Sequence, residues 1–596
     1  MVNELILAEQ SLDPILVKAR SHANNGDVLE AQRLYQVVLQ TKKEKIQKEL
    51  TALKKSQQNN ALQSPPQEAL NQLEYLYNQK QFEVVVEQAK ILTLEYPQAF
   101  VIWNLLGASA FQINMKDEAI EAYKKALLLN PNYADTYSNM GTVLQDQGKL
   151  EAAIEAYNKA IALKPDYAVA YNNKGNAFKD QGKLDEAIEM YNKVISLNPN
   201  YADAYSNLGA ALQDQGKLNE AIVAHKKTIL LNPNHAEAYR NMAVTFKDLG
   251  KLEEAIELFN KAITLKPDYA EAHQNLGYAL IDSGRIKEGL DQYEWRWKTK
   301  QFLPYQRHFL QPLWNGKQSL SGKRILLWCE QGIGDTINWS SCLPLISSQA
   351  EHCILECQEK LVPLLQRSFP NVEIKAANRS LDSQRDDFDF HLPMGSLYKH
   401  FFQEVLKNIK PKAFLVPDPA RVKFWKERLK SLGKGPYIGI SWKSSVVSPY
   451  RLQHYPPISD WSPVIKIPDV TFVNLQYVDF EDDLSKIKDE LGVTIHNFDD
   501  LDQHNNIDDV AALCAALDMV VSTKLTPPFI SSAVGTLTKI ANWRQSTYNN
   551  LLTNPTTSSY DMFERDIWEP WDNVFDLIGQ EISKQKIERN NCKNKL

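Results

Sequence analysis

An α-helical solenoid of stacked helix pairs, followed by an α/β domain with parallel strands, is the fold class this sequence predicts. Three observations carry that reading. Pro97, Pro131, Pro165, Pro199, Pro233 and Pro267 each stand 34 residues after the last, and a fixed period of this size marks a stacked repeat. The period stops after Trp295-Arg296-Trp297. Beyond it, short apolar runs alternate with helical stretches, the pattern of an α/β domain. The 596 residues are 43% hydrophobic and 23% charged, enough apolar material for real cores. With 67 Lys and Arg against 73 Asp and Glu, the formal charge is −6. A general nucleic-acid or anionic-membrane binder normally shows a basic excess, so neither partner is expected. No stretch approaches the roughly 18 apolar residues that would span a bilayer. Met1-Val2-Asn3-Glu4 lacks the basic and apolar regions of a signal peptide. A cytoplasmic protein is the expectation.

Aligned on the prolines, the repeats share a sequence. A large residue, two spacers, a second apolar residue and Gly recur as Trp103-x2-Leu106-Gly107, Tyr137-x2-Met140-Gly141 and Tyr205-x2-Leu208-Gly209. Ala119, Ala153, Ala187, Ala221 and Ala255 follow, each with Tyr, His or Phe four residues later. Large residues at repeat positions 4, 7 and 11 share one face of a first helix, and small residues at 8 and 20 let two helices approach. Gly148, Gly182, Gly216 and Gly250 stand where the first helix must stop, Gly being the usual left-handed cap. Asn-Pro or Lys-Pro ends the second helix, because proline disfavours a helical residue before it. The pattern resembles the tetratricopeptide repeat, which implies a superhelix. Seven units fit 66–303, the first degenerate and the last lacking its proline. A further degenerate unit is predicted at 12–45, with Ala31 and Tyr35 in register, followed by a polar linker at 46–65.

Repeat positions 2, 6, 9 and 13 fall on one helix face, nearly opposite the packing face. Position 6 is Asn139, Asn173, Asn207, Asn241 and Asn275, and position 13 is Asp146, Asp180, Asp214, Asp248 and Asp282. Asn can donate to and accept from an extended backbone at once, which suits sequence-tolerant peptide binding. Since tetratricopeptide first helices line a concave groove, a protein or peptide partner follows, with polar or basic segments preferred. The Asn position resembles the ladder of O-linked N-acetylglucosamine transferases. Recent duplication would also leave uniform Asn, and that alternative stands beside the first.

In the second half, 304–323 reads as a linker with turn signals. Strands are predicted at Arg324–Cys329, Cys353–Cys357, Tyr437–Ser441, Val470–Leu475, Met519–Ser522 and near Thr538–Ala541. Helices fit Asp335–Ser347, Lys360–Ser368, Asp418–Leu432, Asp508–Leu517 and Pro527–Val534. The six cysteines are sparse, and Cys353 and Cys357 lack further ligands at metal spacing, so reduced thiols and no metal are expected. Two glycines after the first strand, in Glu330-Gln331-Gly332-Ile333-Gly334-Asp335, let a ligand approach a helix N-terminus. A dinucleotide fingerprint would need Gly at 337, where Ile stands. The aromatics crowding the end (Trp543, Tyr548, Tyr560, Phe563, Trp568, Trp571, Phe575) read as packing between lobes, and 581–596 as a flexible basic tail.

The loop through Asp335-Thr336, then Gly439-Ile440-Ser441-Trp442-Lys443-Ser444, Asn474-Leu475-Gln476-Tyr477 and Asp509–Ser522, resembles bacterial tetratricopeptide proteins with a heptosyltransferase-like domain. The resemblance spans about residues 310–580. It implies a two-lobed (GT-B) glycosyltransferase fold, with an acceptor lobe at 324–415 and a nucleotide-sugar lobe at 416–580. It further implies inverting transfer of a hexosyl or heptosyl group without metal or other cofactor. Asp335 would be the base that removes the acceptor proton, with Gln331, Gly332 and Gly334 forming the acceptor loop. Ser441, Lys443, Ser444, Ser445, Gln476, Lys524 and Thr526 would hold the donor. Asp335 as a mere first-turn acid is the competing reading. The sequence departs from the family at Ser522-Thr523-Lys524-Leu525-Thr526-Pro527-Pro528-Phe529, where Lys524 and Phe529 replace the usual Asp and His. His391 is a further cleft candidate, with a structural role as its alternative. Two functions are therefore in play: a glycosyltransferase whose repeats recruit a protein acceptor, and a non-catalytic interaction scaffold with a degenerate transferase-like domain. Self-association is open, since tetratricopeptide surfaces often pair.

Overall fold

The computed structural model describes residue 18 and residues 64–330, 332–407, 413–444, 455–478, 480–543, 560–565 and 569–593. The unit expected at 12–45 and nearly all of the linker at 46–65 lie outside these. The chain divides into two compact units, Met1–Pro199 and Asn200–Leu596. This division falls within the repeats.

In the first unit, the helix pairs are Gln67–Asn78 with Phe82–Glu95, Phe100–Gln112 with Lys116–Leu129, Ala134–Asp146 with Leu150–Leu163, and Ala168–Asp180 with Leu184–Leu197. In the second they are Ala202–Asp214 with Leu218–Leu231, Ala236–Asp248 with Leu252–Leu265, and Ala270–Asp282 with Ile286–Tyr293. The repeat geometry follows from side-chain size. Ala153, Ala187, Ala221 and Ala255 are fully buried. A Cβ added to Gly141 would fall 2.6 Å from the Tyr157 ring, and one at Gly209 would fall 2.4 Å from His225. Glycine at position 8 is thus what lets the position-24 aromatic seat. First helices end with Gly148, Gly182, Gly216, Gly250 and Gly284 at φ between +73° and +85°, the left-handed turn predicted for the first four of these. At position 24, Tyr157 and Tyr191 donate to Gln145 and Asn176, whereas burial pushes the pKa of His225 down to about 4.

Two parallel sheets follow. The first, in order β3-β2-β1-β4, is built from β1 (Arg324–Trp328), β2 (His352–Cys357), β3 (Glu373–Ala376) and β4 (Phe390–Pro393). The second runs β10-β9-β8-β5-β6-β7, from β5 (Tyr437–Ser441), β6 (Thr471–Asn474), β7 (Ile495–His496), β8 (Met519–Thr523), β9 (Leu537–Trp543) and β10 (Tyr560–Arg565). The six strands read from sequence are all present. The helix expected at Asp335–Ser347 is two, Ile333–Ser340 and Leu343–Ser347. Pro344 starts the second, since it has no N–H to give to the turn before. One apolar cluster runs from Leu290 and Tyr293 of the last repeat through Leu327 and Leu355 of the first sheet to Leu475 and Val520 of the second.

Three expectations are corrected. Segment 304–323 is not a loose linker: Arg307 is buried against Asp382 and Glu356, and Trp314 donates its backbone N–H to the His391 carbonyl at 2.9 Å. The tail at 581–596 is helical through Lys593, continuing from Asp572, because Ile578 and Ile582 insert into the second sheet's core. Trp571 and Phe575 pack in that same core rather than between lobes, against Trp461 and Ile438. Trp543 and Tyr560 lie in β9 and β10, and Tyr548 and Trp568 are outside the described residues.

The last repeat joins the first sheet through a buried ionic cluster. The Arg296 guanidinium donates to Glu330, Glu294 and Ser396 and lies over the rings of Tyr293 and Trp297. Burial pushes the Glu330 carboxyl up to about 7 even with Arg296 beside it. Arg296→Ala leaves a buried carboxylate without its counter-ion. It is expected to cost about 3–5 kcal/mol in chemical denaturation, whereas Arg296→Lys, which keeps the charge but loses the fork, should cost less.

Candidate functional site: the strand ends and the first-helix faces

In a parallel sheet, ligands approach the carboxyl ends of the strands. The residues expected to serve a transferase lie near such ends, and the structure uses them unequally. Ser441, fully buried at the end of β5, shares a hydrogen bond of 2.6 Å with Ser522 of β8. Gln476 is also fully buried. Its Oε1 accepts from the backbone N–H groups of Trp442 and Lys443 at 2.9 and 3.0 Å, and its Nε2 donates to the Lys443 carbonyl at 2.7 Å. Gln476 thus clamps the chain after β5 while Ser441 ties β5 to β8, and both side chains are fully buried and internally engaged. Lys443 pairs with Asp483 at 2.7 Å, and Asp483 also accepts from the Trp442 indole at 2.8 Å. Ser444 follows, half-buried. Ser445 and Gln331 lie outside the described residues.

The structure brings Asp335, Gly334, Lys524 and Thr526 together. Asp335 stands in the first turn of Ile333–Ser340, after Gly332 at its N-cap. Lys524 precedes Thr526–Ala533, the helix after β8. The two helix starts meet where a Cβ on Gly334 would lie 2.9 Å from the Phe529 ring and 3.7 Å from the Thr526 hydroxyl. Lys524 Nζ is buried and has no hydrogen-bond partner among the described residues. Burial pulls its pKa down to about 7, against the attraction of Asp335 and Glu564. The sequence substitutions at 524 and 529 therefore land in one place: a cation facing the candidate base, and a ring filling the space against its loop. His391 is a buried β4 residue whose Nδ1 accepts from the Trp328 indole at 3.3 Å. Burial holds its pKa near 4. The role is structural.

On the repeats, the Asn and Asp lines behave differently. Asn139, Asn173 and Asn275 are half-buried, with no side-chain hydrogen bond among the described residues. Asn241 is buried and accepts from Arg240 at 2.6 Å, and Asn207 has partners of its own. The acids are engaged between repeats. Gln145 donates to Asp180 at 2.6 Å, Gln213 to Asp248 at 2.7 Å, and Lys116 pairs with Asp146 at 2.7 Å. Asp214 and Asp282 also have partners. Asp180 and Asp248 thus link successive first helices, and Asp146 reaches the second helix of the preceding repeat, contacts that sequence spacing alone did not distinguish from ligand contact. Cys353 and Cys357 are free and buried.

Comparison with known proteins identifies the repeats. The TPR repeat family matches residues 111–148, 143–182, 175–216 and 244–284, and the tetratricopeptide repeat family matches 202–235. Protein FlbA of Caulobacter vibrioides (strain ATCC 19089 / CIP 103742 / CB 15) is 34% identical over 275 residues, 43% of this chain and 46% of its own. The chain thus spans less than half the length of that relative. The crystal structure of MamA is 32% identical and covers 28% of this chain and 97% of its own, with a TM-score of 0.26. YrrB, described as a TPR protein with an unusual peptide-binding site, is 24% identical over 31% of this chain and 96% of its own, with a TM-score of 0.26. The chain carries tetratricopeptide repeats. No helix among the described residues is long and apolar enough to cross a membrane.

Lys524 makes a pH prediction. Its folded pKa of about 7 lies below the ordinary 10.5, so between these values the unfolded chain binds the extra proton and stability rises with pH. Denaturant unfolding between pH 7 and 9 should show a gain of about 1 kcal/mol per pH unit that Lys524→Met abolishes.

Proposed function

We propose that this chain is an interaction scaffold whose repeats capture extended, polar peptide segments of a partner protein along the Asn-bearing face of the first helices. The observation that carries the reading is the half-buried, unengaged amides of Asn139 and Asn173, on consecutive first helices of the first unit. A side-chain amide in that state can donate to and accept from a peptide backbone without displacing an internal bond. The bound Asp side chains still leave a negative field, which favours basic segments. The test is fluorescence anisotropy with a panel of unstructured Gly-Ser peptides carrying Lys or Glu. The Lys peptides should bind more tightly. Replacing Asn139 and Asn173 with Ala should weaken binding by about tenfold or more, with helicity unchanged by circular dichroism. Equal binding by that variant would reject the reading.

A second reading, transfer of a sugar from a nucleotide sugar, is favoured by one observation: Asp335, Lys524 and Thr526 meet at the carboxyl ends of parallel strands in an α/β half with two sheets. Asp335 would take the acceptor proton, while Lys524, Lys443 and the start of Thr526–Ala533 would offset leaving-group charge. Against it, Phe529 occupies the space at Gly334, and Ser441 and Gln476 are internally engaged. Titration calorimetry with UDP-, GDP-, ADP- and CMP-sugars decides between them. The scaffold reading expects no heat at millimolar donor. Donor binding with turnover lost in Asp335→Ala would establish the transferase instead.

A further inference from the structure

A cavity remote from the strand-end site lies where segment 314–321 folds over helix Leu397–Lys407. It has a volume of about 400 Å³ and is lined by Trp314, Gln318, Gln349, His400, Phe401 and Glu404 among others. That volume is within the range of small-molecule sites.

Its construction separates a rigid floor from a polar rim. Trp314 is buried and held at both ends: its indole N–H donates to the Gln318 carbonyl at 3.0 Å, and its backbone N–H donates to His391. Its ring lies 4.8 Å from His400 and is stacked with Phe401 at 6.2 Å. Gly316 shapes the wall at φ +79°, where a Cβ would fall 2.3 Å from His400 Nδ1. Around this apolar base stand the side chains of Gln349, His400 and Glu404, none hydrogen-bonded to another described residue. An amide offers both a donor and an acceptor, a neutral imidazole one of each, and a carboxylate only acceptors. Burial and the neighbouring Lys399 lower the pKa of His400, which keeps that imidazole neutral near pH 7. The lining contains no Lys or Arg, so a phosphate or carboxylate ligand would meet the Glu404 charge without compensation.

We propose that this cavity binds a neutral polyhydroxylated molecule of sugar size. Its hydroxyl groups would be shared among Glu404, Gln349 and His400, and its less polar ring face would rest toward the Trp314 and Phe401 floor. The proposal is independent of the strand-end site and holds whether or not that site transfers a sugar.

The test uses the full chain and saturation-transfer NMR, followed by titration calorimetry. The probes are glucose, galactose, mannose, N-acetylglucosamine, glucose 6-phosphate, glucuronate and glucosamine. At least one neutral sugar should bind with a millimolar or lower Kd, and the two anions should bind at least tenfold more weakly. Glu404 and Gln349 are exposed, so E404Q and Q349A should fold normally. Each should weaken the neutral sugar by about five- to tenfold, while Asp335→Asn leaves its affinity unchanged. Binding of no neutral sugar would overturn the proposal. So would equal affinity in both rim variants, loss of binding in Asp335→Asn, or preference for glucosamine or either anion.

Discussion

Much of the second unit rests on one buried guanidinium. Arg296 leaves the last repeat in a short 3-10 turn, Glu294–Lys298, and is fully buried between two rings, two carboxylates and a hydroxyl. A charge removed from water this completely is tolerable only when every direction of its fork is met. Glu330 answers from the end of β1 and Ser396 from the turn after β4. The repeat, the central strand and an edge strand of the first sheet are therefore fixed in one register. Gly395 completes the arrangement, because a Cβ there would fall 2.2 Å from Glu330 Oε1. Asp335 lies only five positions after Glu330, so the strand-end loop inherits its position from the same cluster.

What the sequence made legible follows physical lines. The repeats were readable because each packing position recurs in register and the glycine caps are forced by backbone geometry. Among the strands, the six recognised are central or carry continuous apolar runs, as β1, β2, β5, β6, β8 and β9 do. The four missed, β3, β4, β7 and β10, are the four sheet edges. Edge strands face solvent or loops on one side, and their sequences show it: Glu-Ile-Lys-Ala in β3, Tyr-Asp-Met-Phe-Glu-Arg in β10. Helices such as Glu481–Leu491 were missed for the same reason, since one buried residue, Ile487, anchors a surface of charges.

The strand-end site was partly legible. Asp335 and Lys524 stood out by motif and by departure from motif, and they do converge. The internal engagement of Ser441 and Gln476 was not visible, because a hydrogen bond to a neighbouring strand has no local signature. The inter-repeat bonds of Asp146, Asp180 and Asp248 were hidden likewise: those partners lie 30 or 35 residues away, at other repeat positions. The cavity over Trp314 was beyond reach altogether. Its walls come from segments around 314–321, 349 and 400–404, and nothing in any one of them announces the others.

A helical repeat array normally needs a polar helix at each end to shield the last apolar face. In the second unit the α/β half fills that office, burying Ile281, Leu290 and Tyr293 in the cluster that also holds the first sheet. The array is therefore asymmetric in its capacity to grow. Duplication can lengthen it by whole 34-residue modules only upstream of this junction, since a module inserted after Tyr293 would strand Arg296 away from Glu330. The units between Pro131 and Pro267, which keep their packing positions in register, and the unit at the junction, which lacks its proline, fit an evolutionary history in which copies were added on one side of a fixed weld.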